Sequence, residues 1–275
     1  MSCWVHRCSI VLAVAMFAHP CKAQFDNFNS AGRGVAMGGV SVMLNDLGSA
    51  VENDAGLAYI ERGGIVLDFR ERFLETGMST IGAAAAFTLN NGTLALSVNG
   101  YGDSDYSEQR LSAHYAMKVG ERVGLGVGMH YFHTFISDPY YPHQNLVTFS
   151  AAMQVIASEA IRLGVRVFNP IAVRMDNTTG FRLPAIFSIG VSYVAAEGLL
   201  LAAEIEKNSV HPVTPRFGLE YGFLSHFHVR AGLSTSPMSY SFGVGVGYEK
   251  FAVDMAAAVH SRLGVTPSVA LRFNF

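Results

Sequence analysis

A two-residue alternation of side-chain character constrains the fold of this chain more than any other feature. From Ser239 to Tyr248 every second residue is large and apolar, and the residues between them are serine or glycine. The segments 122–132, 226–234 and 268–275 follow a similar rule. Successive side chains of an extended strand point to opposite faces of its sheet. Each of these segments therefore predicts a β-strand with one apolar face.

The alternation continues from about Gly64 to the end and divides the chain into about 14 strands. Short turns such as Asn90-Asn91-Gly92 alternate with longer links at 102–108, 134–144, 169–180 and 208–215. This arrangement is typical of outer-membrane barrels, and an even strand number returns both termini to one side. We predict an all-β, transmembrane, antiparallel up-and-down barrel. The predicted strands start near residues 64, 78, 92, 108, 122, 144, 160, 181, 198, 213, 226, 239, 251 and 264.

Composition narrows the alternatives to this barrel. Half of the 275 residues are hydrophobic and 15% are charged, with 28 Gly and 19 Phe. After residue 23 no apolar run is long enough for a membrane-spanning helix, which takes about 18 residues or more. A soluble β-sandwich would show a similar alternation and remains the alternative. The alternating loop lengths and the terminal Phe275 favour the barrel, whose closure pairs every backbone amide in hydrocarbon.

The first 23 residues have the pattern of a cleaved export signal. His6 and Arg7 precede the apolar stretch 10–18, and Cys21-Lys22-Ala23 places a small residue immediately before Gln24. Lipidation at Cys21 is the alternative, which Pro20 disfavours. The predicted organisation is a signal peptide at 1–23, an N-terminal hatch or plug at 24–62 and a barrel at 63–275. The predicted location is the cell outer membrane, with membrane lipid as a partner.

Residues 25–61 interrupt the alternation and are rich in glycine and other small residues. The stretch from Asn45 to Ala50 predicts one short helix, capped by Asn45 or Asp46. The segment is too short to form a core of its own, and a barrel of about 14 strands has a lumen to fill. We therefore expect it inside the barrel, with a flexible tail outside the barrel as the alternative.

Three short motifs of this segment carry a family resemblance. They are the runs 34–40, 46–50 and 53–58, which read GVAMGGV, DLGSA and NDAGLA. They resemble the hatch of the FadL-type hydrophobic-compound transporters and of the PorV-like proteins of type IX secretion. Both groups have 14-stranded barrels with an N-terminal segment in the lumen. The resemblance assigns hatch roles to Gly38, Gly39, Asp46, Asn53, Asp54, Ala55 and Gly56.

One position departs from the family pattern. The motif that normally reads Asn-Pro-Ala is Asn53-Asp54-Ala55 here. Proline fixes φ and aspartate does not, so the turn at this point need not follow the family. The resemblance implies transport of small hydrophobic compounds across the outer membrane. Its alternative implication is a PorV-like accessory that binds secreted cargo or a translocon.

The inward face of the predicted strands carries many charges. We expect these side chains to pair with one another and with Asp46, Glu52 and Asp54 of the hatch, since buried charges need partners. A path for polar solutes along the same side chains is the alternative. The predicted lumen-facing charges include Arg110, Arg162, Arg166, Arg182, Glu204 and Arg230.

Other kinds of site find little support in the sequence. His226 and His228 share a strand face, but two imidazoles do not define a metal site, so we predict neither a metal nor a cofactor. No Gly-x-Ser-x-Gly elbow and no Ser/His/carboxylate grouping is visible, so we predict no enzymatic activity. The net charge of -2 offers no basic surface for nucleic acid. Glycine at 124, 126, 128, 243, 245 and 247 predicts close approach of the hatch to the wall.

Overall fold

The computed structural model describes residues 32–140, 143–173, 183–224 and 226–275. The predicted signal peptide and Arg182 lie outside these residues. The described chain forms a closed barrel of 14 antiparallel strands. In chain order, β1 to β14 are Gly64–Glu71, Ser79–Leu89, Gly92–Gly102, Tyr106–Val119, Val123–Ile136, Gln144–Ile156, Ile161–Phe168, Ile186–Ala196, Leu199–Asn208, Thr214–Phe223, Phe227–Thr235, Met238–Tyr248, Phe251–His260 and Gly264–Asn274.

The barrel has the simplest up-and-down connectivity, in which each strand pairs with its neighbours in the chain. Closure comes from β1 and β14, where Gly64 lies opposite Asn274 and Arg70 opposite Ser268. A closed sheet leaves no unpaired edge, so the backbone hydrogen bonds of the wall are satisfied within the sheet. The predicted fold class is confirmed.

The two faces of the wall differ as the alternation predicts. In β12, Phe242 and Val244 point outward and are 60% and 48% exposed, whereas Ser241 points into the lumen and is buried. The same contrast separates Val127 from His130 in β5. The outer surface is thus a continuous apolar band that matches a lipid bilayer, and the polar residues line the lumen.

Connections at one end of the barrel are short, and we call it the turn end. Asn90 and Asn91 join β2 to β3, and Glu249 and Lys250 join β12 to β13. At the opposite end, the loop end, the prediction of a long link at 102–108 is wrong. β3 and β4 are separated only by residues 103–105, because Asp103 accepts hydrogen bonds from the amides of Asp105 and Tyr106 in a tight turn.

Residues 32–62, which we call the lumen segment, lie inside the barrel. They contain helix α1 (Arg33–Ala36), helix α2 (Ser49–Glu52) and a 3₁₀ helix (Asp54–Tyr59). The predicted helix from Asn45 is therefore misplaced. The carboxylate of Asp46 accepts the amide hydrogen of Gly48 at 2.8 Å, and this turn delays the helix until Ser49. In the described part of the chain, no helix is long and apolar enough to cross a membrane.

β8 also begins later than predicted, at Ile186 instead of near residue 181. Pro184 lacks a backbone N–H and cannot donate to a strand ladder, which explains the late start. The other strands begin within about two residues of the predicted positions.

Candidate functional site

Glycines of the wall let the lumen segment lie directly against the strand backbone. A Cβ added at Gly124 would lie 2.6 Å from the ring of Tyr59, and one added at Gly243 would lie 2.5 Å from the Cβ of Ala36. At Gly126 an added Cβ would overlap the backbone of Asp54. The expected close approach is found at these positions but not at Gly245, where the nearest atoms are wall side chains, or at Gly247, whose nearest neighbour is the Cβ of Ala252 at 3.9 Å.

Gly38 and Gly39 place the backbone of the segment beside β10 and β11. Both have positive φ, 75° and 84°, which glycine adopts without strain. An added Cβ at Gly38 would lie 2.7 Å from the backbone nitrogen of Leu233. The carbonyl of Gly39 accepts a hydrogen bond from Arg216 at 3.0 Å. The pair therefore forms a close contact between segment and wall.

Glu204 on β9 holds the next part of the segment through its backbone. One carboxylate oxygen accepts the amide hydrogens of Ser41 at 2.7 Å and Val42 at 3.0 Å. The other oxygen lies 3.3 Å from Arg216, which also pairs with Glu206 at 2.8 Å. A buried carboxylate with an arginine and two amide donors is well satisfied.

Asn53 and Gly56 fold the segment onto itself. The side-chain amide of Asn53 donates to the carbonyls of Leu44 at 3.0 Å and Ser41 at 3.3 Å. Gly56 passes so close to this loop that an added Cβ would lie 2.5 Å from the hydroxyl of Ser49 and 2.9 Å from the Asn53 amide. Ala55 beside them is fully buried. These contacts are internal to the segment and give it a defined shape.

Asp54 ties the segment to the opposite wall. It begins the 3₁₀ helix, and Asn53 before it is extended with φ −148°. The Asp54 carboxylate lies 2.6 Å from Nδ1 of His114 and 3.9 Å from Arg166, and both Asp54 and His114 are almost fully buried. This position of the segment is therefore fixed by a buried polar contact.

A closed ring of six charged side chains joins the segment to β10, β11, β13 and β14. Two members belong to the lumen segment, and they contact each other at 3.1 Å. Opposite charges alternate around the whole ring, so its net charge is zero. In ring order the members are Arg33, Glu220, Arg230, Asp254, Arg272 and Asp46.

Four members of this charge ring belong to the wall and form a chain of their own. Arg230 on β11 lies 2.6 Å from Glu220 on β10 and 2.5 Å from Asp254 on β13. Arg272 on β14 lies 2.6 Å from Asp254. Sequence alternation places these residues on the inward face, but only the barrel register brings them together.

Two contacts close the charge ring between segment and wall. Arg33 donates two hydrogen bonds to the Glu220 carboxylate, from Nε at 2.8 Å and from Nη2 at 2.7 Å. Asp46 lies 3.8 Å from Arg272. A bidentate arginine–carboxylate pair is among the stronger polar contacts in proteins, so Arg33 is the main link. Arg33 was not among the predicted site residues.

Asp46 and Asp54 of the segment are held in their charged form. Burial alone would raise the pKa of Asp46, but Arg272 and Arg33 outweigh it and leave the pKa below its usual value. Burial acts likewise on Asp54, where the contact with His114 and the charge of Arg166 lower the pKa well below the usual range. Both carboxylates therefore stay ionised at neutral pH.

Other predicted lumen charges occupy separate places on the wall. Arg110 on β4 is buried and donates to Asn99 at 3.0 Å. Arg162 on β7 donates to Asn45 of the lumen segment at 2.6 Å. Arg182 falls outside the described residues.

Ser97, His114 and Asp54 form a hydrogen-bonded line that sequence spacing did not reveal. His114 lies 3.4 Å from the hydroxyl of Ser97 through Nε2 and contacts Asp54 through Nδ1. Their order matches a serine–histidine–aspartate triad. However, these residues are only 3%, 2% and 1% exposed, so solvent does not reach the serine hydroxyl. The line is an anchor for the segment in this conformation.

Two of the cavities among the described residues differ in character. A polar one of about 20 Å³ lies beside Arg33, Asp46 and Asn53, and it has room for about one water molecule. An apolar groove of about 590 Å³ lies on the outer face of β8 to β12. Ala203 and Ala231 form part of its lining, and their small side chains make the wall thin there. No group of three metal-ligating side chains occurs among the described residues.

Comparison with known proteins shows similarity of fold. No protein-family profile and no curated protein sequence matches the chain. The monoaromatic hydrocarbon channel CymD matches with TM-score 0.71 and 12% identity, over 91% of this chain and 99% of its own. The Ralstonia pickettii toluene transporter TbuX matches with TM-score 0.68 and 12% identity, over 91% and 100%. A Pseudomonas aeruginosa FadL homologue matches with TM-score 0.66 and 12% identity, over 90% and 98%.

Proposed function

We propose that this protein lets small hydrophobic compounds cross the outer membrane through its barrel. The observation that carries the proposal is the shared architecture. The 14-stranded barrel superposes on nearly the whole length of proteins described as hydrocarbon channels and toluene transporters. These similar structures are channels and transporters and not enzymes, in line with the expectation of a protein without catalytic activity.

The surface of the barrel supports an outer-membrane location for this activity. Large apolar side chains cover its outer face around the wall, and the backbone of the wall is closed. Such a surface is stable in hydrocarbon and poorly soluble in water. An export signal at 1–23 is part of the same proposal.

The apolar groove supports a hydrophobic substrate class. Its volume of about 590 Å³ is within the range of small-molecule sites, and side chains such as Leu219 and Phe242 line it. Behind it, the wall backbone at Gly218 and Gly232 touches Met37 and Gly38 of the lumen segment. The groove and the segment are therefore separated by a single layer of backbone. Compounds dissolved in the bilayer and compounds in the lumen meet the same thin wall.

An uptake assay tests the proposed function. Accumulation of labelled toluene and of a long-chain fatty acid is compared between a strain lacking the protein and the complemented strain. We expect faster uptake of at least one compound in the complemented strain, and unchanged uptake of a small sugar. Equal uptake of both apolar compounds in the two strains would contradict the proposal.

The short connections at the loop end favour one second candidate, a PorV-like accessory of protein secretion. β11 and β12 are joined only by Ser236 and Pro237, and β13 and β14 by residues 261–263. The similar structures described above give this candidate no support. A pull-down of the tagged protein distinguishes the two, since only the accessory role predicts that secreted cargo or translocon subunits co-purify.

A further inference from the structure

The lumen segment consists of two parts with separate apolar cores. The front part, residues 33–46, packs Met37, Val40 and Met43 with Ala202 of β9, and Ala36 with Ala256 of β13. The rear part, residues 47–59, belongs to another cluster, which includes Leu47, Leu57 and alanines of β2, β3 and β4. The boundary between the clusters falls at the turn from Asp46 to Gly48.

The charge ring divides between the front part and the wall into two neutral groups. If the front part leaves the wall, Arg33 and Asp46 keep their mutual contact of 3.1 Å. The wall keeps the chain from Glu220 through Arg230 and Asp254 to Arg272, with two charges of each sign. Stranding a buried charge costs about 3–5 kcal/mol, and this separation strands none of the six.

In the remaining polar contacts of the front part, the groups that leave the wall are neutral amides. Glu204 gives up two amide hydrogens but keeps Arg216, and Arg216 keeps Glu206. Arg162 gives up the neutral amide of Asn45. The hydrogen bonds of Asn53 to Ser41 and Leu44 are also between neutral groups. Water can replace such partners at small net cost.

The rear part is held in a different way. The ion-pair contacts of Asp54 are both with wall residues, His114 and Arg166. Tyr59 donates to the carbonyl of Arg122 at 2.9 Å, so the 3₁₀ helix is fixed to the wall at both ends. Removing the rear part would separate the Asp54 carboxylate from both of these partners. Detachment of the front part leaves Arg33 and Asp46 paired with each other.

We propose that the front part, residues 33–46, detaches from β7 to β14 as one unit while the rear part, residues 47–59, stays attached to β1 to β6. The turn at Asp46–Gly48 is the hinge. The proposal rests on the proposed function only in giving the detachment a purpose, which is to open a passage along one side of the lumen. Residues 33–46 are then the gate of the barrel, and residues 47–59 are its fixed support.

Hydrogen exchange of the full-length protein in nanodiscs, read by mass spectrometry, tests this without any substrate. We expect residues 33–46 to exchange in a separate and faster class than residues 47–59. Glu220→Gln weakens the bidentate contact of Arg33 and is expected to speed exchange of the front part by at least about tenfold, leaving the rear part unchanged. Asp54→Asn is the matched control and is expected to act mainly on the rear part.

A disulfide tether gives a second reading if Glu220→Gln does not fold. Ala36 and Ala256 share one apolar cluster, so Ala36→Cys with Ala256→Cys joins the front part to β13. Oxidation is expected to slow exchange in residues 33–46, and reduction to restore it. Exchange of the whole segment as a single class, a faster rear part, or an unchanged front part after oxidation would overturn the proposal. Failure of the uptake assay alone would leave these exchange results standing.

Discussion

At the scale of single residues, the contact between lumen segment and wall depends on glycines of the wall, which have no side chain to keep the segment away. Gly126 is adjacent to the backbone of Asp54, and Gly124 is adjacent to the ring of Tyr59. The alternation of glycine with apolar residues in β5 predicted a close approach, and the structure shows that the 3₁₀ helix of the lumen segment lies there. Sequence alone did not identify His114 as the partner of Asp54, because 60 residues separate them and nothing in their spacing links them.

Gly126→Ala is expected to weaken this contact. The added methyl group would overlap the Asp54 backbone, and such overpacking typically costs about 1–3 kcal/mol of unfolding free energy. Thermal or denaturant unfolding in detergent measures the change. Gly247→Ala is the control, because its added Cβ has a neighbour only at 3.9 Å and is expected to change stability little. Equal losses in the two variants would show that the effect belongs to strand glycines in general.

At the scale of elements, the lumen segment is attached by ionised groups whose state depends on pH. The pKa values of Asp46 and Asp54 are lowered in the folded protein. A carboxylate with a lowered pKa contributes stability that is fully present above its unfolded pKa of about 3.9. That contribution is lost as the pH falls below this value towards the folded pKa. Acid is therefore expected to loosen both parts of the segment.

The double variant Asp46→Asn with Asp54→Asn tests this pH dependence. Its unfolding free energy is expected to fall less between pH 7 and pH 3 than that of the wild type, because two of the titrating groups are gone. Unfolding in one detergent at both pH values provides the measurement. Asp105→Asn, in an exposed turn, is the control and should keep the wild-type slope. The same slope in the double variant would contradict the assignment.

At the scale of the whole molecule, the apolar outer band requires a closed wall. Strands with apolar outer faces are stable in a bilayer only when every backbone amide is paired, and the pairing of β1 with β14 completes this. The interior holds a charged wall with a folded segment against it.

A charged substitution on the outer band tests whether a bilayer surrounds the barrel. Val244→Arg, in the middle of β12, is expected to lower stability by about 2–4 kcal/mol, because arginine at the bilayer midplane is costly. Tyr248→Arg at the end of the same strand is expected to cost about 0–1 kcal/mol, since it reaches the interface. Refolding and unfolding into lipid vesicles gives both values. A similar cost at both positions would count against a bilayer around this strand.

The sequence by itself determined which side chains of a strand share a face, because a period of two residues is a local property that survives in any sheet. Together with the alternating loop lengths, this was enough to predict the barrel and about 14 strands. It also placed residues 25–61 outside the strand pattern. Only the tertiary structure decided which charges meet. Arg33, Glu220 and Asp254 lie far apart in the chain, and the register of the barrel and the path of the lumen segment bring them into one ring. Non-local pairing of this kind has no periodic signal, because it depends on the geometry of the closed wall and not on neighbours in sequence.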